Sequence, residues 1–96
     1  MVKINDFFKE MLSFKIEKEK LDFKADVLQL YIVNKFLREM ESQGLTQNQL
    51  AKKAGINKRY LTKVFSTDAP LKTITIVQLQ EALNIKININ FIKRDK

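Results

Sequence analysis

The stretch "GLTQNQLAKKAGINKRYLTKVF", residues 44–65, decides the fold. It opens on one of the chain's two glycines and holds the other at position 55. Glycine enters the left-handed conformation that ends a helix without a Cβ penalty, so Gly44 and Gly55 mark two helix stops eleven residues apart. After the first stop, Thr46 with Gln49 three residues on has the spacing of a capping box, which starts a helix through "QNQLAKKA". Asn57 caps a third helix, "KRYLTKVF". Two short helices joined by a tight glycine-containing turn form a helix-turn-helix. Leu50 and Ala54 face inward from the first, Ile56 plugs the turn, and Leu61 and Val64 face inward from the second. Ala51 is small where two crossing helices must approach.

Working outward, the chain reads as an all-α fold of five helices with a short C-terminal β-strand. In "NDFFKEMLSF" apolar residues recur at three and four, which predicts a short helix; "KIEKEKLDFK" follows either as a joint or as the first turns of the next helix. A second helix runs from Asp22 to Gln43. Its "VLQLYIVNKFL" is apolar nearly all round and predicts burial on more than one side. Pro70 in "STDAPLK" marks a loop, and a last helix begins near Thr73 or Thr75 and ends around Asn84. In "IKININFI", Ile85, Ile87, Ile89 and Phe91 alternate with polar residues, the pattern of a half-buried strand. Residues 1–24 are expected to form an N-terminal helical arm, and residues 25–96 the helix-turn-helix domain with its strand.

Charge is unevenly placed. Residues 45–66 carry five basic and no acidic side chains, whereas residues 1–24 carry six and five, in a chain of net charge +7. What remains outward on the second helix of the motif is Lys58, Arg59, Tyr60, Thr62 and Lys63, all hydrogen-bond donors. The chain contains neither cysteine nor histidine, which removes disulfides, thiolate nucleophiles, imidazole bases and the usual zinc ligands. No cluster of nucleophile, base and metal ligand can be named, so neither an enzyme nor a cofactor is expected. No apolar run approaches the roughly 20 residues of a membrane span, and the N-terminus lacks a signal-peptide pattern; a cytoplasmic setting is expected.

The segment "LTQNQLAKKAGINKRYLTKVF" resembles the helix-turn-helix of the xenobiotic response element family, the group that includes phage repressors and many antitoxin regulators. The matching features are Leu45-Thr46-Gln47, Leu50-Ala51, Gly55-Ile56, Asn57 at the cap, and Leu61, Thr62 and Val64. With the flanking helices the likeness covers roughly residues 25–85, and "LQEALNIKININF" is similar to a subgroup that ends in a short strand. Two departures stand out: Phe65 replaces a common Glu or Trp, and "STDA" lacks the glycine that often closes the recognition helix.

The resemblance implies a transcriptional regulator, a repressor, that binds double-stranded DNA by placing residues 57–65 in the major groove. Lys58, Arg59, Tyr60 and Lys63 would read bases, and Gln47, Lys52, Lys53, Thr62 and Ser66 would hold phosphates. Acids on such a face would repel the DNA backbone, which accounts for their exclusion. The predicted strand must pair, because a lone strand leaves its amides and carbonyls unsatisfied. A homodimer through Ile87, Ile89 and Phe91 is the favoured arrangement, with half-sites one turn, ~34 Å, apart. The N-terminal "MVKIN" and a foreign toxin strand are the other candidates. The alternative function is an antitoxin whose N-terminal region captures a toxin. Asp22 and Asp26 read as a solvated helix face or first-turn charges, and Phe7, Phe8, Phe14 and Phe23 as internal core, the commoner fate, or a partner-binding patch.

Overall fold

Residues 2–42 contain neither glycine nor proline, and their polar positions are filled mainly by Lys and Glu, good helix formers. Nothing stops a helix once it starts. In the computed structural model, which describes residues 2–95 with side chains from Lys9 onward, this whole segment is one helix, α1 (Val2–Ser42). It is followed by α2 (Gln47–Ala54), α3 (Lys58–Phe65) and α4 (Thr73–Leu83). The expected count of five helices is therefore corrected to four among the described residues. Of the two readings of "KIEKEKLDFK", joint or helix, the structure takes the helix, with Glu17 and Lys20 forming an i,i+3 ion pair of 3.7 Å on it. "MVKIN", weighed as a strand, is helical from Val2.

All four helices end the same way. At each terminus a residue of positive φ lets its own amide and the next one turn back onto the last carbonyls. Gly44 and Gly55 serve α1 and α2, both at φ 70, as the sequence predicts. At the first, Leu45 N–H reaches Met40 O at 3.0 Å; at the second, Ile56 N–H reaches Ala51 O at 2.9 Å. Thr67 takes this place after α3 (φ 64), and Asn84 after α4 (φ 55). Thr67 thus stands where the missing glycine of "STDA" was expected.

The core sits where α2 packs on both α3 and α4 and the C-terminal part of α1 lies against α4. Leu50 and Ala51 of α2, Ile56 of the turn, Leu61 and Val64 of α3, and Leu79 and Leu83 of α4 are buried; Phe36 and Met40 close the cluster from α1, where Val33 is buried too. Only that one stripe of α1 is buried, so the expected burial of "VLQLYIVNKFL" on several sides does not occur within one chain. Val27, Leu28, Leu30 and Tyr31 are exposed.

Upstream of Gln29 the helix leaves the core and projects. The radius of gyration is 18.7 Å, against ~13 Å for a compact domain of this size. The longest extent, 63 Å, matches the ~62 Å that 41 helical residues span at 1.5 Å each. Phe14 and Phe23 lie on this arm, 78% and 69% exposed, and are not core; the side chains of Phe7 and Phe8 fall outside the described residues.

The C-terminal strand is the second correction. Among the described residues there is no strand, because a strand exists only as a paired ladder and nothing in the chain offers an edge to residues 85–92. The alternation is real but short. Ile85 and Ile87 pack against the core, and Ile87 N–H donates to Gln80 Oε1 at 3.3 Å. Beyond them Ile89 and Phe91 face solvent, so of the residues expected to dimerise only Ile87 makes packing contacts here.

Candidate nucleic-acid interface

The geometry of the site follows from two caps and one crossing. Thr46 Oγ1 accepts from Gln49 N–H at 3.1 Å, and Gln49 Oε1 accepts from Thr46 N–H at 2.9 Å, the reciprocal box that fixes the entry to α2. The first two amides of α2, those of Gln47 and Asn48, have no acceptor within the helix and point out of its positive end. Gln47 itself is half-buried at that end. Asn57 Oδ1 accepts from Arg59 and Tyr60 N–H at 2.8 and 3.3 Å and so sets the start of α3. Burial of Leu61 and Val64 then fixes the helix's rotation and turns Lys58, Arg59, Thr62 and Lys63 to solvent.

Lys58, Arg59 and Lys63 are brought together on one exposed helical face. None of them is ion-paired among the described residues, whose one salt bridge lies far off on α1. Lys52 and Lys53 occupy the last turn of α2, where the negative end of the helix also favours cations. The hydroxyls of Thr62 and Ser66 are turned back on α3: Thr62 donates to Lys58 O at 3.0 Å, and Ser66 to Thr62 O at 3.0 Å. Ser66 is also 3.1 Å from Asp68, the acid that closes the basic face at its C-terminal edge.

Tyr60 is placed differently from the other residues expected to read bases. Its ring is half-buried against the core, and its hydroxyl donates to Pro70 O at 3.2 Å and lies 3.3 Å from Thr75 Oγ1. Thr75 is itself 2% exposed, so this contact ties α3 to the first turn of α4.

Gln29 is the residue that sequence reasoning missed. From α1 its Nε2 donates to Val64 O and Ala69 O, both at 2.8 Å, and its Oε1 accepts Leu71 N–H at 3.2 Å. It thereby pins the end of α3 and the loop to α4. The available signal was a lone amide inside the apolar run "VLQLYIV".

The described residues contain no group of three acidic, His or Cys side chains placed to hold a metal. No helix is long and apolar enough to cross a membrane. Two shallow surface depressions are each lined by side chains of α1 alone and lie away from the basic face.

No curated protein matches the chain, and no solved structure does. The helix-turn-helix family model HTH_3 matches residues 35–89, which takes in the end of α1, all of α2 to α4 and the first extended residues beyond. That span is more than half of the chain and contains both caps, the crossing at Ala51 and the basic face. The chain therefore belongs to the Cro-type, xenobiotic response element-like helix-turn-helix family, whose members are DNA-binding transcription regulators.

Proposed function

We propose that the protein is a sequence-specific repressor that inserts α3 into the major groove of its operator. The observation that carries this reading is the exposed, unpaired cluster of Lys58, Arg59 and Lys63 on a helix whose rotation is fixed by two buried side chains. An unpaired guanidinium or ammonium on such a face meets guanine O6 and N7, the commonest specific contact of DNA-reading helices.

Lys52 and Lys53 supply the phosphate contacts, together with the free amides at the start of α2 beside Gln47. Thr62 and Ser66 contribute by swinging hydroxyls that otherwise bond their own helix. Tyr60 enters this reading as the residue that orients α3, since its hydroxyl is already engaged within the fold. The chain then divides into an N-terminal arm, residues 1–24, and the DNA-reading domain that follows.

Selection of bound sequences from random duplex DNA tests the proposal. An enriched, discrete motif whose base preferences relax on Arg59→Ala is the expected result. Binding that shows no enrichment, or enrichment indifferent to Arg59, overturns it.

A further inference from the structure

The N-terminal part of α1 raises a physical problem that the DNA-reading face does not answer. A helix in water draws most of its stability from packing an apolar face, yet residues 9–28 pack on nothing in the chain. This segment also lies outside the family match, which begins at residue 35.

Its apolar side chains are not scattered. Met11, Phe14, Leu21, Ala25 and Leu28, with Lys18 between, are spaced alternately three and four apart, and the series continues into Ile32. This is a seam with a 3.5-residue period, the repeat of a coiled coil, whose one polar position is Lys18. Phe14, Leu21 and Leu28 on it are each more than 60% exposed.

We propose that this seam is a dimerisation surface whose occupant is the same seam of a second copy, running antiparallel. The charges flanking it select the partner and the direction. Lys15 and Asp22 border one side, Glu17 and Lys24 the other. In an antiparallel pair, flanking residues meet their like positions across the two-fold axis. Setting Lys18 opposite Leu21 of the second copy stacks Phe14 on Ala25 and Met11 on Leu28. The same register brings Lys15 to Asp22 and Glu17 to Lys24, each twice by symmetry and with no like-charge meeting. Glu17 already pairs loosely with exposed Lys20, and a carboxylate accepts two cations.

The alternatives are worse on the same count. A parallel pair gains Glu10 with Lys15 but sets Glu17 against Asp22 and stacks Lys18 on itself. Sliding the antiparallel pair by one heptad opposes Lys24 to Lys24 and Asp22 to Asp22, or Glu17 to Glu17 and Lys15 to Lys15. The opposite face of the arm, through Ile16, Phe23, Val27 and Leu30, carries Ser13 as well as a lysine, Lys20, and its antiparallel pairing brings Glu19 to Asp26. Charge at these flanking positions sets orientation and register in coiled coils. The pairing leaves the two DNA-reading modules at opposite ends of the rod, and it does not depend on what those modules bind.

The absence of cysteine makes the test clean. Full-length chains carrying Phe14→Cys or Ala25→Cys are oxidised alone and as a mixture. The mixture is expected to form the mixed disulfide, and each variant alone to stay uncrosslinked. In sedimentation at tens of micromolar, the parent chain should have twice the monomer mass and Leu21→Lys should halve it. Phe23→Lys should leave the mass unchanged. Glu17→Lys should weaken the dimer, and Glu17→Lys with Lys24→Glu should restore it. Circular dichroism of Leu21→Lys, retaining the melt of α2 to α4, separates dissociation from unfolding. A monomeric parent chain, including one that pairs only with a different protein, overturns the proposal. So does self-crosslinking of either cysteine variant, or dissociation by Phe23→Lys in place of Leu21→Lys. Binding of a half-site by monomeric Leu21→Lys reads the DNA function separately.

Discussion

The side-chain amide of Gln29 donates to the main-chain carbonyl of Val64 at 2.8 Å, joining the long helix to the last turn of α3 across 35 residues of sequence. The same nitrogen holds Ala69 O, and the side-chain oxygen holds Leu71 N–H. One residue thus satisfies three part-buried backbone groups. Gln29→Ala leaves all three without that partner, and a buried group deprived of its hydrogen bond costs about 1–3 kcal/mol. The expected outcome is a lower urea midpoint with an unchanged slope, since the surface exposed on unfolding stays the same.

Tyr60 separates positioning from reading. Its hydroxyl is bonded to Pro70 O and to Thr75 Oγ1, both at the long end of hydrogen-bond range, so Tyr60→Phe removes two weak hydrogen bonds and little packing. A loss of about 1 kcal/mol in unfolding free energy is expected. Base preferences in a binding selection should be those of the parent chain. A changed preference at one base position would place the hydroxyl on DNA instead.

At Thr67 the chain carries a β-branched residue at φ 64, a region where Cβ crowds the backbone. The Asp68 and Thr67 amides nevertheless close α3 by reaching Lys63 O and Val64 O at 2.8 and 3.2 Å. The geometry is that of a glycine stop, held without a glycine. Thr67→Gly relieves the crowding at the expense of a more flexible unfolded chain and the short bond from Thr67 Oγ1 to Ser66 O. A net gain of about 1 kcal/mol is expected from thermal or denaturant unfolding.

The parts of this fold that were legible in sequence are those specified locally. Gly44, Gly55, Thr46 with Gln49, and Asn57 each act on backbone within a few residues, and each is found at its expected post. The buried set around Leu50, Ala51, Ile56, Leu61 and Val64 was equally readable, because helical period fixes which side chains share a face. The errors came where a partner decides. Isoleucine alternation in residues 85–91 encodes an extended, two-sided segment, but only a neighbouring edge makes it a strand. Apolar residues of the arm read as core because hydrophobicity states that burial is wanted without stating by what. Gln29 and the engaged hydroxyl of Tyr60 were hidden for a related reason. Their partners lie 10 to 42 residues away, and no local pattern records them.

For the basic face, the division of labour between base and phosphate contacts has a measurable signature. Lys52, exposed in the last turn of α2, is assigned to phosphate, so Lys52→Ala should weaken binding to every sequence alike. Because each neutralised phosphate releases counterion, it should also lower the slope of log affinity against log salt by about 1. Arg59, exposed in the first turn of α3, is assigned to a base edge. Arg59→Ala should cost about 1–3 kcal/mol on the preferred operator and little on sequences already mismatched at the base it reads. Titrations of both variants over matched and mismatched duplexes at several salt concentrations give the two quantities independently. Equal losses from both substitutions at every base position would mean that Arg59, like Lys52, holds only the backbone, and base choice would then have to come from Lys58, Lys63 or the shape of the duplex.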